Sequence, residues 1–207
     1  MLNFVRLTGE PTLINILLGF QEKLLYNDIN CCRVAIVNKF YPDTLQVQVN
    51  IANKMITDLK NDGSQITKDY ALITAKVCYA CNGISYPLKK GDAGLLLFND
   101  REIESWFVNG EINQLSYDRC HALTDAIFIA GLYAQPNAAN AQYIENCLHI
   151  FYGTKGIKIT DTGLEIDGDL KVNGKITTTG DVIVNGISFL NHTHVCSSPG
   201  GNSGTPK

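Results

Sequence analysis

The last third of the chain contains a six-residue repeat, and this repeat limits the possible folds more than any other feature. In each unit two alternate positions are apolar or Thr and the third is Gly. The four units are Leu164-Glu-Ile-Asp-Gly168-Asp, Leu170-Lys-Val-Asn-Gly174-Lys, Ile176-Thr-Thr-Thr-Gly180-Asp and Val182-Ile-Val-Asn-Gly186-Ile. In an extended chain alternate side chains share a face, so these positions form an inner row opposite a mainly charged or polar one. One such strand cannot bury its inner row by itself.

The glycines in the inner row indicate close approach of one backbone to another, because a Cβ at those positions would collide. A β-helix made by a single chain needs several hexads for each turn and at least three stacked units, so four hexads are too few. Three chains wound about a common axis supply faces and edges to one another. We therefore predict a homotrimeric, intertwined β-helix over residues 156–190. After Gly186 the apolar residues Ile187 and Phe189 change row, so the β-helix is expected to end or change its winding there.

The N-terminal part has a different pattern. Leu13, Leu17, Phe20 and Leu24 have helical spacing after Pro11, which predicts one amphipathic helix from Thr12 to Tyr26. The period then changes to two, which predicts a hairpin, with strands at 34–36 and 45–51 around the turn at 41–44. Residues 54–69 are polar and turn-rich, and further short strands are expected at 70–78, 95–98 and 106–108.

One helix followed by about five short strands predicts a small barrel, with an OB-fold as the leading candidate. The predicted fold class is mainly β, with an N-terminal OB-fold barrel preceded by a helix, then the trimeric β-helix and a pointed apex. The predicted domains are an N-terminal domain at 1–115, a connector at 116–155, the β-helix at 156–190 and the apex at 191–207.

Composition excludes several classes of function. A net charge of -3 gives no basic surface for phosphate backbones, so a nucleic-acid partner is not expected. The seven cysteines form an odd set without a regular framework, which favours free thiols and assembly in a cytoplasm. The apolar run from Leu13 to Leu18 is too short to span a bilayer, lacks a basic flank and has no cleavage site, so neither export nor anchoring is expected.

His192 and His194 are the candidate metal ligands. They stand two residues apart next to the end of the repeat, and in an extended segment both imidazoles share a face. Alone, this pair is weak evidence for a metal site, because such pairs are more often solvated or core histidines. Three copies would bring six nitrogens together in a closed octahedral site, which suits iron, nickel or cobalt better than zinc and leaves no position for a substrate. Such an ion would be structural.

Cysteines are less convincing ligands. Cys196 lies two residues beyond His194, but six nitrogens already complete an octahedron. Cys78 and Cys81 have the spacing of half a zinc site, and adjacent Cys31 and Cys32 do not supply the second half.

Several motifs together resemble the central spike family of phage baseplates. They are the Gly-punctuated hexads, His192-Thr-His194, the tail Pro199-Gly-Gly-Asn-Ser-Gly-Thr-Pro206, the stretches Pro87 to Phe98 and Asp100 to Trp106, and Arg119 to Ile127. The resemblance implies an OB-fold that docks under the baseplate hub next to the tail tube, a triple-stranded β-helix, and an apex with one iron ion per trimer. It also implies a virion protein at the tail tip that perforates the outer membrane of a Gram-negative host. Phage tails, bacteriocins and secretion-like devices share this design.

Other functions remain as alternatives. An enzyme is suggested only by His121 near Asp118, Arg119 and Asp125, without a nucleophile in a recognisable turn or a paired carboxylate. We therefore expect no catalysis and no small-molecule substrate. A trimeric tail fibre or adhesin that binds a surface polysaccharide should end in an aromatic-bearing head, whereas this chain ends in eleven small or polar residues after Cys196. By composition that end is a disordered tail, and in a trimer it could wrap the tip. His121, His149 and Trp106 are interpreted as structural or solvated residues.

Overall fold

A computed structural model describes residues 12–14, 17 and 29–194, and the chain divides into two compact units at 1–142 and 143–207. The described residues are mainly β. The strands are β1 Cys32–Tyr41, β2 Gln46–Ile51, β3 Met55–Leu59, β4 Gln65–Lys68, β5 Ile73–Cys78, β6 Ala93–Phe98, β7 Ala126–Leu132, β8 Leu148–Tyr152, β9 Lys155–Thr160, β10 Gly163–Asp167, β11 Ile183–Val184 and β12 Ile187–Ser188. Helical segments include Glu104–Asn109, Pro42–Thr44 and Gln135–Ala141.

The first unit is built around a closed five-stranded barrel. Its strand order is β1-β2-β5-β7-β6, β5 pairs with β7 in parallel, and the other neighbours are antiparallel. Side chains alternate along each strand, so every second one enters the core. A Cβ at Gly94 would overlap the carbonyl oxygen of Ile129 and the ring of Phe128, so this position must be glycine for Phe128 to fill the barrel. The buried core is Ala35, Val37, Val47, Val49, Ile51, Ile73, Ala75, Leu88, Leu96, Phe98, Ala126 and Phe128.

The predicted hairpin is confirmed. β1 and β2 pair around a 3-10 turn at Pro42–Thr44, with Val37 opposite Val49 and Phe40 opposite Val47. The strands expected at 70–78 and 95–98 are present as β5 and β6. The polar segment 54–69 contains a further hairpin, β3 with β4, which forms a separate two-stranded sheet.

The strand predicted at Trp106 to Val108 is wrong, because these residues lie in the helix Glu104–Asn109. The carboxylate of Glu102 accepts the backbone N–H groups of Glu104 and Ser105 at 2.9 and 3.3 Å, which satisfies donors that a helix start leaves without partners. Gly110, with φ of 73°, ends the helix. These local hydrogen bonds outweigh the strand preference of the aromatic and β-branched residues.

β7 lies inside the segment predicted to be a connector. It pairs with both β5 and β6 and closes the barrel, so the barrel extends past residue 115, where the sequence pattern had placed its end. β8 also begins within that segment. The apolar run at 127–132 is therefore a barrel strand.

The second unit contains an antiparallel sheet in the order β8-β9-β10 and the hairpin β11–β12. Between them, residues 168–182 contain no helix or strand within the single chain. The fourth hexad is a hairpin turn, since Asn185 and Gly186 have φ of 50° and 80° between the paired residues Val184 and Ile187. The β-helix predicted at 156–190 would form only between three chains. The structure of a single chain does not test it, so it stays a prediction.

Part of the predicted N-terminal helix is described. Leu13, Ile14 and Leu17 are helical, and the rest of Thr12 to Tyr26 lies outside the described residues. So do Cys196 and the tail from Ser197 to Lys207. Within the described parts of the chain, no helix is both long and apolar enough to cross a bilayer.

Candidate assembly surface and metal centre

One face of the β8–β10 sheet carries six aliphatic side chains, followed at its end by the pair Tyr152 and Lys155. Strand register places Leu148, Ile159 and Leu164 in one row across the three strands, and Ile150, Ile157 and Ile166 in the next. Each of these residues is between 38% and 60% exposed, although neighbouring aliphatic side chains on a sheet normally face a core. We call these six residues the aliphatic face.

The opposite face of the same sheet is mainly polar, and its charged and aromatic side chains contact one another. Lys158 Nζ lies 2.8 Å from Asp167 Oδ2 and 3.7 Å from Glu165 Oε2. The hydrogen bond between Lys158 and Asp167 lowers the pKa of the carboxyl and raises the pKa of the amine. His149 stacks on Phe151 at 4.9 Å between ring centroids, above Gly156, where a Cβ would stand 2.9 Å from His149 Nε2. Polar side chains of this kind can remain in water, so it is the aliphatic face of the sheet that would gain from burial against a partner.

The aliphatic face continues along the chain as the inner row of the repeat. Leu170, Val172, Ile176 and Val182 are 41% to 67% exposed. A Cβ at Gly174 or Gly180 would meet nothing within 4 Å, and neither residue has a positive φ of the kind that favours glycine. Nothing within one described chain therefore requires glycine at these two positions.

The β11–β12 hairpin fixes the start of the apex. The N–H of Phe189 donates to the carbonyl oxygen of Val182 at 2.9 Å, and the N–H of Leu190 donates to Asp181 Oδ1 at 3.0 Å. Hydrogen bonds from the Ser188 side chain and the Leu190 N–H lower the pKa of Asp181. Asp181 is thus an anionic anchor that holds the residues leading into the histidine pair.

His192 is held in one tautomer. Its Nδ1 lies 3.0 Å from the carbonyl oxygen of Ser188 and 3.1 Å from that of Phe189. A carbonyl oxygen can only accept, so the proton is on Nδ1 and the lone pair of the neutral ring is on Nε2. Metal-binding histidines are commonly oriented by this type of backbone hydrogen bond.

The structure brings the two predicted ligands together. The ring centroids of His192 and His194 are 5.1 Å apart and their planes cross at 86°. Across residues 12–14, 17 and 29–194, no three His, Cys, Asp or Glu side chains form a group that could hold a metal. At the apex one chain therefore offers two imidazoles, and a closed site would require further chains. Cys78 and Cys81 are exposed thiols.

The residues that suggested an enzyme are tied into structural contacts. Asp125 is 1% exposed and receives Arg119 Nε and Nη2 at 2.9 and 3.0 Å, and this pairing raises the pKa of Arg119. His121 Nδ1 donates to the carbonyl oxygen of Asn30 at 3.1 Å, and Asp118 pairs with Arg101 at 2.7 Å. These contacts brace the loops beside the barrel.

Two features were missed by sequence reasoning. Glu102 is a buried carboxylate that also accepts the N–H of Ser116 at 3.0 Å, and this hydrogen bond is the main reason that its pKa is lowered. Leu148 and Ile150 were not recognised as part of the aliphatic face. Their period of two was visible, but it covers only five residues and includes aromatic side chains on the other face.

Comparison with protein families gives a match to the barrel. Residues 34–131 match the model described as the phage protein Gp138 N-terminal domain. The match runs from the third residue of β1 to the last residue but one of β7, so it coincides with the barrel. No curated protein matches the chain. The similarity supports a phage structural protein and a place in the virion.

Proposed function

We propose that the chain is the central spike at the tip of a contractile phage tail, working as a homotrimer that perforates the host outer membrane. The observation that carries this proposal is the aliphatic face and its continuation in the repeat. Six aliphatic residues in register on three strands, followed by an exposed inner row, form a surface that a soluble protein buries against a partner.

Threefold self-association accounts for the composition of the repeat. Identical chains present identical inner rows, and three of them can enclose those rows around one axis without leaving a free sheet edge. The glycines at 174 and 180 support this arrangement, because the part of the chain that the structure describes contains no steric or conformational reason for them. In a trimer, close approach of backbones near the axis supplies that reason.

The barrel is proposed to be an OB-fold that docks on the baseplate hub, next to the tail tube. Counted along the chain, its strands are ordered first, second, third, fifth, fourth, and the first pairs with the fourth. This order of a five-stranded Greek-key barrel supports an OB-fold. The family match over the same residues supports a phage role for the barrel.

The apex is proposed to hold one iron ion per trimer, bound by His192 and His194 of each chain. The donor set fits, because imidazole nitrogens suit iron and the Nδ1 hydrogen bonds of His192 leave Nε2 as the ligand atom. Bound iron would add its binding free energy to assembly of a tip with little core. A saturated six-nitrogen site supplies no chemistry to a substrate, so the proposed role is structural and not catalytic.

Mass determination in solution together with metal analysis of untreated protein tests the proposal. A trimer with one metal ion for three chains is the expected result, whereas a monomer would overturn the proposal.

Two further experiments distinguish a spike from a fibre. Selective binding of a host surface polysaccharide by the trimer would favour a fibre or adhesin over a spike. Outer-membrane vesicles exposed to the assembled tail should leak, and tails with an apex-deleted spike should cause less leakage.

A further inference from the structure

The barrel carries a second uncovered apolar surface on its outside. Register places Val34 opposite Leu95 and Leu95 opposite Ile129, and it places Cys32 opposite Leu97 and Leu97 opposite Ile127. Ile36 extends the surface along β1. These outward side chains alternate with the core residues of the same strands, and they are all exposed or partly exposed. We call Val34, Ile36, Leu95, Leu97, Ile127 and Ile129 the barrel patch.

The N-terminal segment carries a matching apolar stripe. Leu13, Ile14 and Leu17 are helical, and their exposed fractions are 72%, 68% and 58%. Sequence spacing extends the stripe to Phe20 and Leu24. An amphipathic helix and the apolar face of a sheet are surfaces that pack on each other in α+β folds.

We propose that in the assembled protein the N-terminal helix of one copy packs on the barrel patch of a neighbouring copy. Both surfaces are exposed in the single chain, so the contact that covers them is assigned between chains. Each chain would then give its helix to one neighbour and receive the helix of the other neighbour on its own barrel patch. Such a contact joins two different surfaces and is therefore heterologous, and three such contacts close a ring. The inference rests on the proposed trimer.

Chain length allows this exchange. Five residues, 27–31, separate the predicted end of the helix at Tyr26 from the start of β1 at Cys32, and β1 is itself a strand of the patch. Five extended residues reach up to about 17 Å, so the linker does not restrict the helix to its own barrel. Three chains held together elsewhere raise the local concentration of helix and patch, so a contact of modest strength suffices.

Native Cys32 is a reporter at the edge of the barrel patch, because it lies opposite Leu97 and is exposed in the single chain. In the full-length trimer we expect Cys32 to react with a thiol reagent more slowly than exposed Cys120, as read by peptide mass spectrometry. Leu17→Asp should raise the Cys32 rate about tenfold or more, the change expected when one buried leucine is lost. Asn15→Asp, on the opposite side of the predicted helix, is the matched control and should leave the rate unchanged.

A disulfide experiment identifies which chain supplies the helix. Mild oxidation of a full-length Leu17→Cys variant should link residue 17 to Cys32 between chains, giving covalent dimers and trimers on a non-reducing gel. The same variant with Cys32→Ser should lose that link. A 17–32 disulfide found within single chains, or equal Cys32 rates in the Leu17→Asp and Asn15→Asp proteins, would overturn the inference. Light scattering on each sample reports the trimer separately, so failure of the helix contact is distinguishable from failure of the proposed assembly.

Discussion

His192 Nδ1 lies 3.0 Å from the carbonyl oxygen of Ser188 and donates its proton to it, and this contact orients the ring after the β11–β12 hairpin. The backbone N–H of His192 donates to the same oxygen, also at 3.0 Å. One carbonyl therefore fixes both the main chain and the tautomer of the proposed ligand. The ring is therefore oriented by contacts within its own chain.

Replacing both His192 and His194 by Ala should abolish bound metal and leave the protein trimeric. The ligands are lost, whereas the aliphatic face and the repeat are untouched. Elemental analysis of the purified variant measures the metal, and His149→Ala is the control that should keep it. Stoichiometric metal in the double variant would eliminate the proposed site.

Val172→Asp should weaken or abolish the trimer, because it places a charge in the inner row that three chains are proposed to enclose. Lys171→Asp changes the neighbouring residue on the outer row and should leave the trimer intact. Analytical ultracentrifugation over a range of concentrations measures both. Equal association of the two variants would argue against burial of the inner row.

Gly94→Ala should destabilise the barrel by about 1–3 kcal/mol, the usual cost of forcing an extra methyl group into a packed core. The added Cβ meets the ring of Phe128 and the carbonyl oxygen of Ile129. Ser85→Thr adds one methyl group at an exposed position outside the strands and serves as the control. Denaturant unfolding followed by circular dichroism compares them, and unchanged stability in Gly94→Ala would contradict the described packing.

Asp181 should anchor the residues that follow the β11–β12 hairpin down to acidic pH. Its folded pKa is lowered by hydrogen bonds from Ser188 and Leu190, so its contribution is fully present above the ordinary value of 3.8 and is lost as pH falls through the lower folded value. We expect hydrogen exchange at the Leu190 amide, corrected for intrinsic rate, to stay slow at pH 5 and to accelerate only well below pH 4. Asp181→Ala should exchange fast throughout. Loss of protection already at pH 5 in the unaltered protein would be inconsistent with this anchor.

Sequence patterns predicted the parts of the fold that depend on local alternation. The β1–β2 hairpin follows from a period of two around Pro42, and both strands are where that pattern places them. The helix at Glu104–Asn109 was missed because its start depends on Glu102, a carboxylate whose other partner, Ser116, is fourteen residues away from it. β7 was assigned to a connector because its role depends on pairing with β5, about fifty residues earlier in the chain.

For the candidate site, the sequence predicted the pair of histidines but not the contacts that orient them. The spacing of His192 and His194 indicated that their rings can share a direction, and the structure places them next to each other. The hydrogen bonds that select the tautomer of His192 depend on backbone carbonyls in a hairpin that the repeat pattern did not reveal. The aliphatic face needed the register of three strands, which no single run of the sequence displays.

The most direct measurement is the mass of the untreated protein in solution over a wide concentration range, by light scattering or sedimentation. The account predicts a particle of three times the 22.7 kDa chain mass that persists on dilution. A folded protein that keeps the mass of one chain even at high concentration would contradict it, since the exposed apolar residues from Leu148 to Val182 would then have nothing to cover them.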